Sequence, residues 1–226
     1  MTASTRPPSS RPAGQPQRRS RANGVASRHA ILDAAARIAG DRGYEGTSIK
    51  EVSELSGLPA SSIYWHFTNK DELIAAVIER SYDGWIDALR TLNVDDTATD
   101  EGSAEESFRA GMRRSAEQLA QFPDFLRLGL MLTLERRPDE PTARQRFLDT
   151  RAATLSRLQR HLARVFEGLD TTMTHRLAAL SLAASDGFFI AAEAEGTDLV
   201  AGFDTIAHAV FSAATAAGWS PTNDRC

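Results

Sequence analysis

A chain of 226 residues with 42% hydrophobic and 25% charged side chains has the balance of a soluble protein with a real core. The single cysteine, Cys226, excludes an internal disulfide, and no stretch approaches the roughly 18 apolar residues of a membrane span. The net charge of −4 at first argues against nucleic acid, but residues 1–26 carry +5, residues 27–80 −2 and residues 81–226 −7. Binding to phosphate needs local positive charge, not a positive total.

Residues 1–26 are rich in arginine, proline and serine, with no apolar core of the signal-peptide kind, so the expected compartment is the cytoplasm. With so little to bury, the segment reads as a disordered basic tail. It is either a solubilising tail or an arm along a nucleic-acid backbone, with Arg18, Arg19 and Arg21 as its contacts.

From there the pattern is helical. Ile31, Leu32, Ala35, Ile38 and Ala39 form one stripe, with Ser27 as its cap and Gly43 as its stop. A second helix opens at Thr47 or Ser48, where Ser48-Ile49-Lys50-Glu51 is a capping-box pattern, and turns Ile49, Val52 and Leu55 inward. Gly57 ends it, and a third runs from about Pro59 to His66. Asn69-Lys70-Asp71-Glu72 is another capping box, opening a long helix with Leu73, Ile74, Val77 and Ile78 at three- and four-residue steps. Segment 93–103 is an acidic, polar loop. Further helices are predicted at about 104–121, 124–136, 141–167, 173–194 and 199–217, punctuated by Pro123, Pro138, Pro141 and the Gly168–Asp170 turn. No alternating run predicts a strand, so the fold class is all-α with about nine helices.

The informative stretch is Ser48 to Lys70: two short helices and a tight turn at Gly57, where glycine takes a left-handed backbone without steric cost. Ser53 is small enough for close crossing, and Ile49, Val52, Ile63 and Phe67 form a miniature core against the first helix. Ser61, Ser62, Tyr64, Trp65 and His66 cannot all be core, and Lys70 follows them. Hydroxyls, a phenol, an imidazole and an amine suit phosphate and base-edge contacts. A chance turn in a bundle with plain aromatic packing gives a similar pattern.

Gly46-Thr47-Ser48-Ile49, then Gly57, then Ile63-Tyr64-Trp65-His66-Phe67, then Asn69-Lys70-Asp71-Glu72-Leu73 resembles the signature of the TetR family of ligand-responsive regulators, over roughly residues 28–75. The resemblance implies a helix-turn-helix DNA-binding domain (27–70) behind the tail (1–26), and a helical ligand-binding and dimerisation domain (71–220). By position it implies DNA contacts from Thr47, Lys50, Ser61, Ser62, Tyr64, His66 and Lys70, with Trp65 straddling packing and the DNA face. Two residues depart from the usual pattern: Pro59 replaces the capping Ser or Thr of the recognition helix, and Ser53 stands where Ala is more common.

Residues 104–167 supply more large, soft side chains than a minimal bundle needs. Phe108, Met112, Phe125, Leu128, Met131 and Phe147, with Phe188 beyond them, are candidates to line a largely apolar effector pocket, against the plain alternative of core. The last two helices are alanine-rich. Leu180, Ala184, Ala191, Ile206, Val210 and Ala213 are the candidate homodimer interface, the alternative being internal burial. Asp186, among apolar neighbours, is either a paired structural carboxylate or a pocket group.

The resemblance implies a double-stranded DNA operator, a small-molecule effector and a second copy of the chain as partners, with no membrane. The sequence has no phosphate-binding glycine loop, no Gly-x-Ser-x-Gly elbow and no Cys/His metal spacing, and His29, His161, His175 and His208 are scattered. No catalytic residue, metal or cofactor is expected. A DNA-independent ligand sensor or adaptor on the same fold is the alternative.

Overall fold

The computed structural model describes residues 15–91, 103–134 and 142–220. Among them are nine helices: α1 (Gln15–Arg42), α2 (Ile49–Ser56), α3 (Ala60–His66), α4 (Lys70–Thr91), α5 (Ala104–Gln121), α6 (Asp124–Leu134), α7 (Thr142–Val165), α8 (Thr171–Glu195) and α9 (Leu199–Ala216). No strand occurs among the described residues.

α1 begins well before Ser27, which therefore lies within the helix and is not its cap. Ile31, Leu32, Ala35 and Ala39 are wholly buried and anchor the C-terminal half of α1. Once that half is nucleated, the Gln, Arg and Ala residues before it extend the helix at little cost. Pro16 falls in the first turn, where its missing N–H breaks no bond. Arguing from burial alone misses this propagation. The expected tail therefore divides: residues 15–26 are helical, and 1–14 lie outside the described residues.

α1, α2 and α3 pack on one another, and α1 packs on α4. Val52, Ile63 and Phe67 are buried between them, with Ile49 partly so. Leu55 is exposed instead of turning inward. Gly57 closes α2 at φ 69°, and the Ser53 hydroxyl donates to the Leu58 carbonyl at 2.6 Å, so this small residue ties the turn as well as permitting it.

α4 runs out of this unit into the second, where it packs on α5, α6 and α7. α5 pairs with α9, and α8 lies between α7 and α9. Gly129 of α6 lets α7 approach: a Cβ there would stand 1.9 Å from the Phe147 ring. α8 and α9 are, by length and composition, apolar enough to cross a membrane, although no unbroken apolar run marks them in the sequence. α9 instead buries Phe203, Ile206, Val210 and Phe211 in the bundle. α8 leaves Leu180, Ala183, Gly187, Ile190 and Ala194 exposed in steps of three and four.

Candidate nucleic-acid interface and effector cavity

α3 is short and held at both ends by backbone. Pro59 is its N-cap residue, so the helix opens at Ala60, one position later than expected, and Pro59 makes no side-chain cap bond. The Phe67 amide donates to the Ile63 carbonyl at the other end. With Ile63 and Phe67 as its anchors, the opposite face is open. Trp65 is 75% exposed and Tyr64 57% exposed; Ser61 is exposed and Ser62 half-buried. Lys50 of α2 is also exposed, with Glu54 4.0 Å from its amine. Hydroxyl, phenol, indole and amine are thus all accessible.

Three expected DNA contacts are differently engaged. Thr47 is 1% exposed, and its hydroxyl donates to the Gly43 carbonyl at 2.8 Å. It closes the end of α1 and is sealed from a phosphate, a correction to its expected role. Lys70 donates to the Tyr44 carbonyl at 3.1 Å, sits 4.2 Å from the centre of the Tyr44 ring and lies 3.8 Å from Glu45. Its amine fastens the start of α4 to the α1–α2 loop. His66 turns toward α1, with Nε2 2.9 Å from the Ser27 hydroxyl. Burial, and then the nearby Arg28 guanidinium, hold its pKa below the ordinary histidine value. The Trp65 ring packs edge-on to His66 and near Gly24 of α1 while remaining largely exposed.

The second unit contains a cavity of about 110 Å³. Met112, Phe125 and Phe147, expected there, line it together with Trp85, Leu119 and Phe203. The other expected lining residues are elsewhere. Phe108 stacks on His161 in the core, and Leu128 is wholly buried away from the space. Met131 reaches Gly43 at the α1–α6 contact, and Phe188 fills the α8–α9 crossing at Gly202. Helical spacing marks all of these as inward-facing, but it does not say which inward face borders a void.

The polar wall is Ser115, Thr150, Arg151, Thr154, Ser185 and Asp186. Apart from Asp186, these residues carry no apolar periodicity, so that signal passes over them. Asp186 is both of the things expected of it in the alternative: it pairs with Arg151 at 2.5 Å and it lines the cavity. Its other oxygen, Oδ1, is buried without a hydrogen-bond partner. Burial pushes the carboxyl pKa up, while the Arg151 guanidinium pulls it down.

Of the candidate dimer residues, Leu180 is 49% exposed, and Ala184, Ala191 and Ala213 are half-buried. Ile206 and Val210 are 3% and 0% exposed within the single chain, so they belong to its own core. Their side of α9 faces α5 and α8, and its outer side carries Ala201, Thr205, Ala209 and Ser212.

Residues 31–77 match the family model of bacterial regulatory proteins, tetR family. The HTH-type transcriptional regulator TtgR of Pseudomonas putida is 37% identical over 62 residues, a match that spans 27% of this chain and 30% of TtgR. Beyond that segment the likeness is one of fold. SmeT, the repressor of the Stenotrophomonas maltophilia multidrug efflux pump SmeDEF, in its triclosan complex, aligns at TM-score 0.65 and 22% identity, over 88% of this chain and 93% of SmeT. FadR of Bacillus subtilis, in complex with stearoyl-CoA, aligns at TM-score 0.63 and 19% identity, over 82% of this chain and 98% of FadR. Its first helices thus match the tetR family of bacterial regulatory proteins in sequence, and its nine-helix body matches TetR-like regulators in fold.

Proposed function

We propose that the chain is a cytoplasmic, ligand-responsive repressor that binds a palindromic operator as a homodimer and is released by a small, largely apolar molecule. The observation that carries this reading is the reach of one helix. α4 begins at Lys70, which fastens the helix-turn-helix unit, and fifteen residues later presents Trp85 to the cavity. At 1.5 Å per residue that is roughly 22 Å of rigid rod between the two. A ligand that favours one placement of α4 changes the placement of α3 and shifts the population that fits DNA.

The exposed row on α8 from Leu180 to Ala194 supports dimerisation, because steps of three and four residues are those of a helix–helix seam. A two-fold pair presents two α3 helices to successive major grooves about 34–36 Å apart. Ligand-bound relatives of the same fold, SmeT with triclosan and FadR with stearoyl-CoA, support a small-molecule effector.

Selection of bound sequences from random duplex DNA by the purified chain tests the reading. It predicts an imperfect palindrome, one dimer per site, and loss of selection in Tyr64→Ala with its fold intact. A folded dimer that enriches no sequence favours the adaptor alternative.

A further inference from the structure

The cavity wall is unequal in what it offers. The Thr150 hydroxyl donates to the Phe147 carbonyl at 2.8 Å, and the Thr154 hydroxyl to the Thr150 carbonyl at 2.9 Å. The Ser185 hydroxyl donates to the Ser181 carbonyl at 2.8 Å, and Trp85 Nε1 to the Ser115 carbonyl at 3.2 Å. These four donors are occupied within the chain, the Thr154 hydroxyl also meeting the Tyr82 hydroxyl at 3.3 Å. Ser115 carries a hydroxyl that serves either role. Asp186 Oδ1 is a buried acceptor with nothing donating to it, on a residue that lines the space. A buried polar atom in that state costs stability until a donor arrives.

Charge narrows the choice. Arg151 and Asp186 form an ion pair, so the wall is close to neutral. An anionic ligand would set its charge against the free carboxylate oxygen, and a cation would bring an uncompensated charge into an apolar space. Size narrows it again. An apolar cavity of about 150 Å³ holds a benzene ring, so this one, at about 110 Å³, takes at most a single ring, and only as its wall gives a little. A long acyl chain exceeds it.

We infer that the effector of this chain is a small, uncharged, ring-sized molecule whose hydroxyl or N–H group donates a hydrogen bond to Asp186 Oδ1. This rests on the reading of the cavity as the effector site and adds its chemical class.

Phenol, anisole and benzoate are the probes, with affinities measured by calorimetry on the full-length chain. Phenol and anisole share a ring, but anisole lacks the donor; benzoate is anionic. Phenol is expected to bind at least about tenfold tighter than anisole, as befits a hydrogen bond to a charged group, and benzoate weakest. In Asp186→Leu the preference for phenol should fall to within about threefold. Because that change leaves Arg151 unpaired, the paired variant Arg151→Met with Asp186→Leu provides a second, uncharged wall on which the same loss is expected. Anisole binding as tightly as phenol, a phenol preference that survives in both variants, or no binding of either ring at millimolar concentration overturns the inference; in the last case Oδ1 is met by water only. Operator release is measured separately. Phenol that binds at Asp186 without releasing DNA defeats the effector reading alone. Release by anisole as effective as by phenol defeats the donor inference alone.

Discussion

The Ser27 hydroxyl on α1 lies 2.9 Å from His66 Nε2 at the end of α3, so the recognition helix is tied to the first helix through a titratable ring. Burial and the Arg28 charge both disfavour the imidazolium. The His66 resonance should therefore titrate below the ordinary value of about 6.5, and Arg28→Ala should move it back part of the way, leaving the share due to burial. The folded ring binds its proton less readily than the unfolded one. Stability is then unaffected well above the ordinary value and is lost as pH falls through it toward the lowered folded value. A His66 midpoint at or above the ordinary value, read by NMR, contradicts this account.

Lys70 and Tyr64 should separate fold from DNA affinity. The Lys70 amine is engaged by the Tyr44 carbonyl and ring, so Lys70→Ala should cost about 1 kcal/mol of stability as well as affinity. Tyr64 is 57% exposed, so Tyr64→Ala should leave the melting temperature unchanged and weaken operator binding about tenfold or more. Lys50→Ala should reduce the salt dependence of binding by about one phosphate contact. Equal thermal losses for Lys70→Ala and Tyr64→Ala would contradict this division of roles.

The helix-turn-helix was legible because its signals are local. Ser48, Gly57 and Asn69 punctuate the chain within a few residues of the helices they delimit, and the Glu72 amide does bond the Asn69 side chain at 2.8 Å. Even there, side-chain direction is not read from helix signals: the Thr47 hydroxyl turns to the Gly43 carbonyl four residues back, and the Lys70 amine to the Tyr44 carbonyl 26 residues away. The cavity was less legible. Met112, Phe125 and Phe147 line it while Phe108 and Leu128 do not, although all five have the same helical periodicity. What divides them is the packing of α5, α6 and α7, and a glycine such as Gly129 sets that packing by what it lacks.

Asp204 should make acid stability sensitive to one side chain. Arg109 binds it through two nitrogens at 3.0 and 2.7 Å, and Arg113 through Nε at 2.9 Å, joining α5 to α9. These hydrogen bonds hold the carboxyl far below the usual carboxylate range. With the folded value depressed, the contribution is present above the unfolded value of about 3.9 and is lost as pH falls through the folded one. Asp204→Asn should therefore lower the melting temperature at pH 7, and the gap to the unaltered chain should shrink as pH falls toward 2. A gap that is constant with pH would mean the cluster contributes packing alone.

If the chain responds to a ligand as proposed, Arg127 is placed to carry the response. From α6 it binds Glu193 of α8 through two nitrogens at 2.8 and 3.0 Å, and it lies against Gly40 of α1, where a Cβ would meet it at 3.3 Å. Within the same turn of that helix, Phe125 and Leu126 line the cavity. A shift of α6 on ligand entry thus moves a charge that holds α8 and abuts the DNA-binding unit. Arg127→Met keeps most of the side-chain stem but removes the fork. Operator affinity without ligand should change by less than about threefold, because no DNA-facing residue is touched. The ligand's effect on that affinity, a factor of about 5–150 for coupling of ordinary size, should fall by at least half on a logarithmic scale. Binding measured by fluorescence anisotropy with and without a releasing ligand decides it. An unchanged ligand effect would place the coupling elsewhere than in the Arg127 charge.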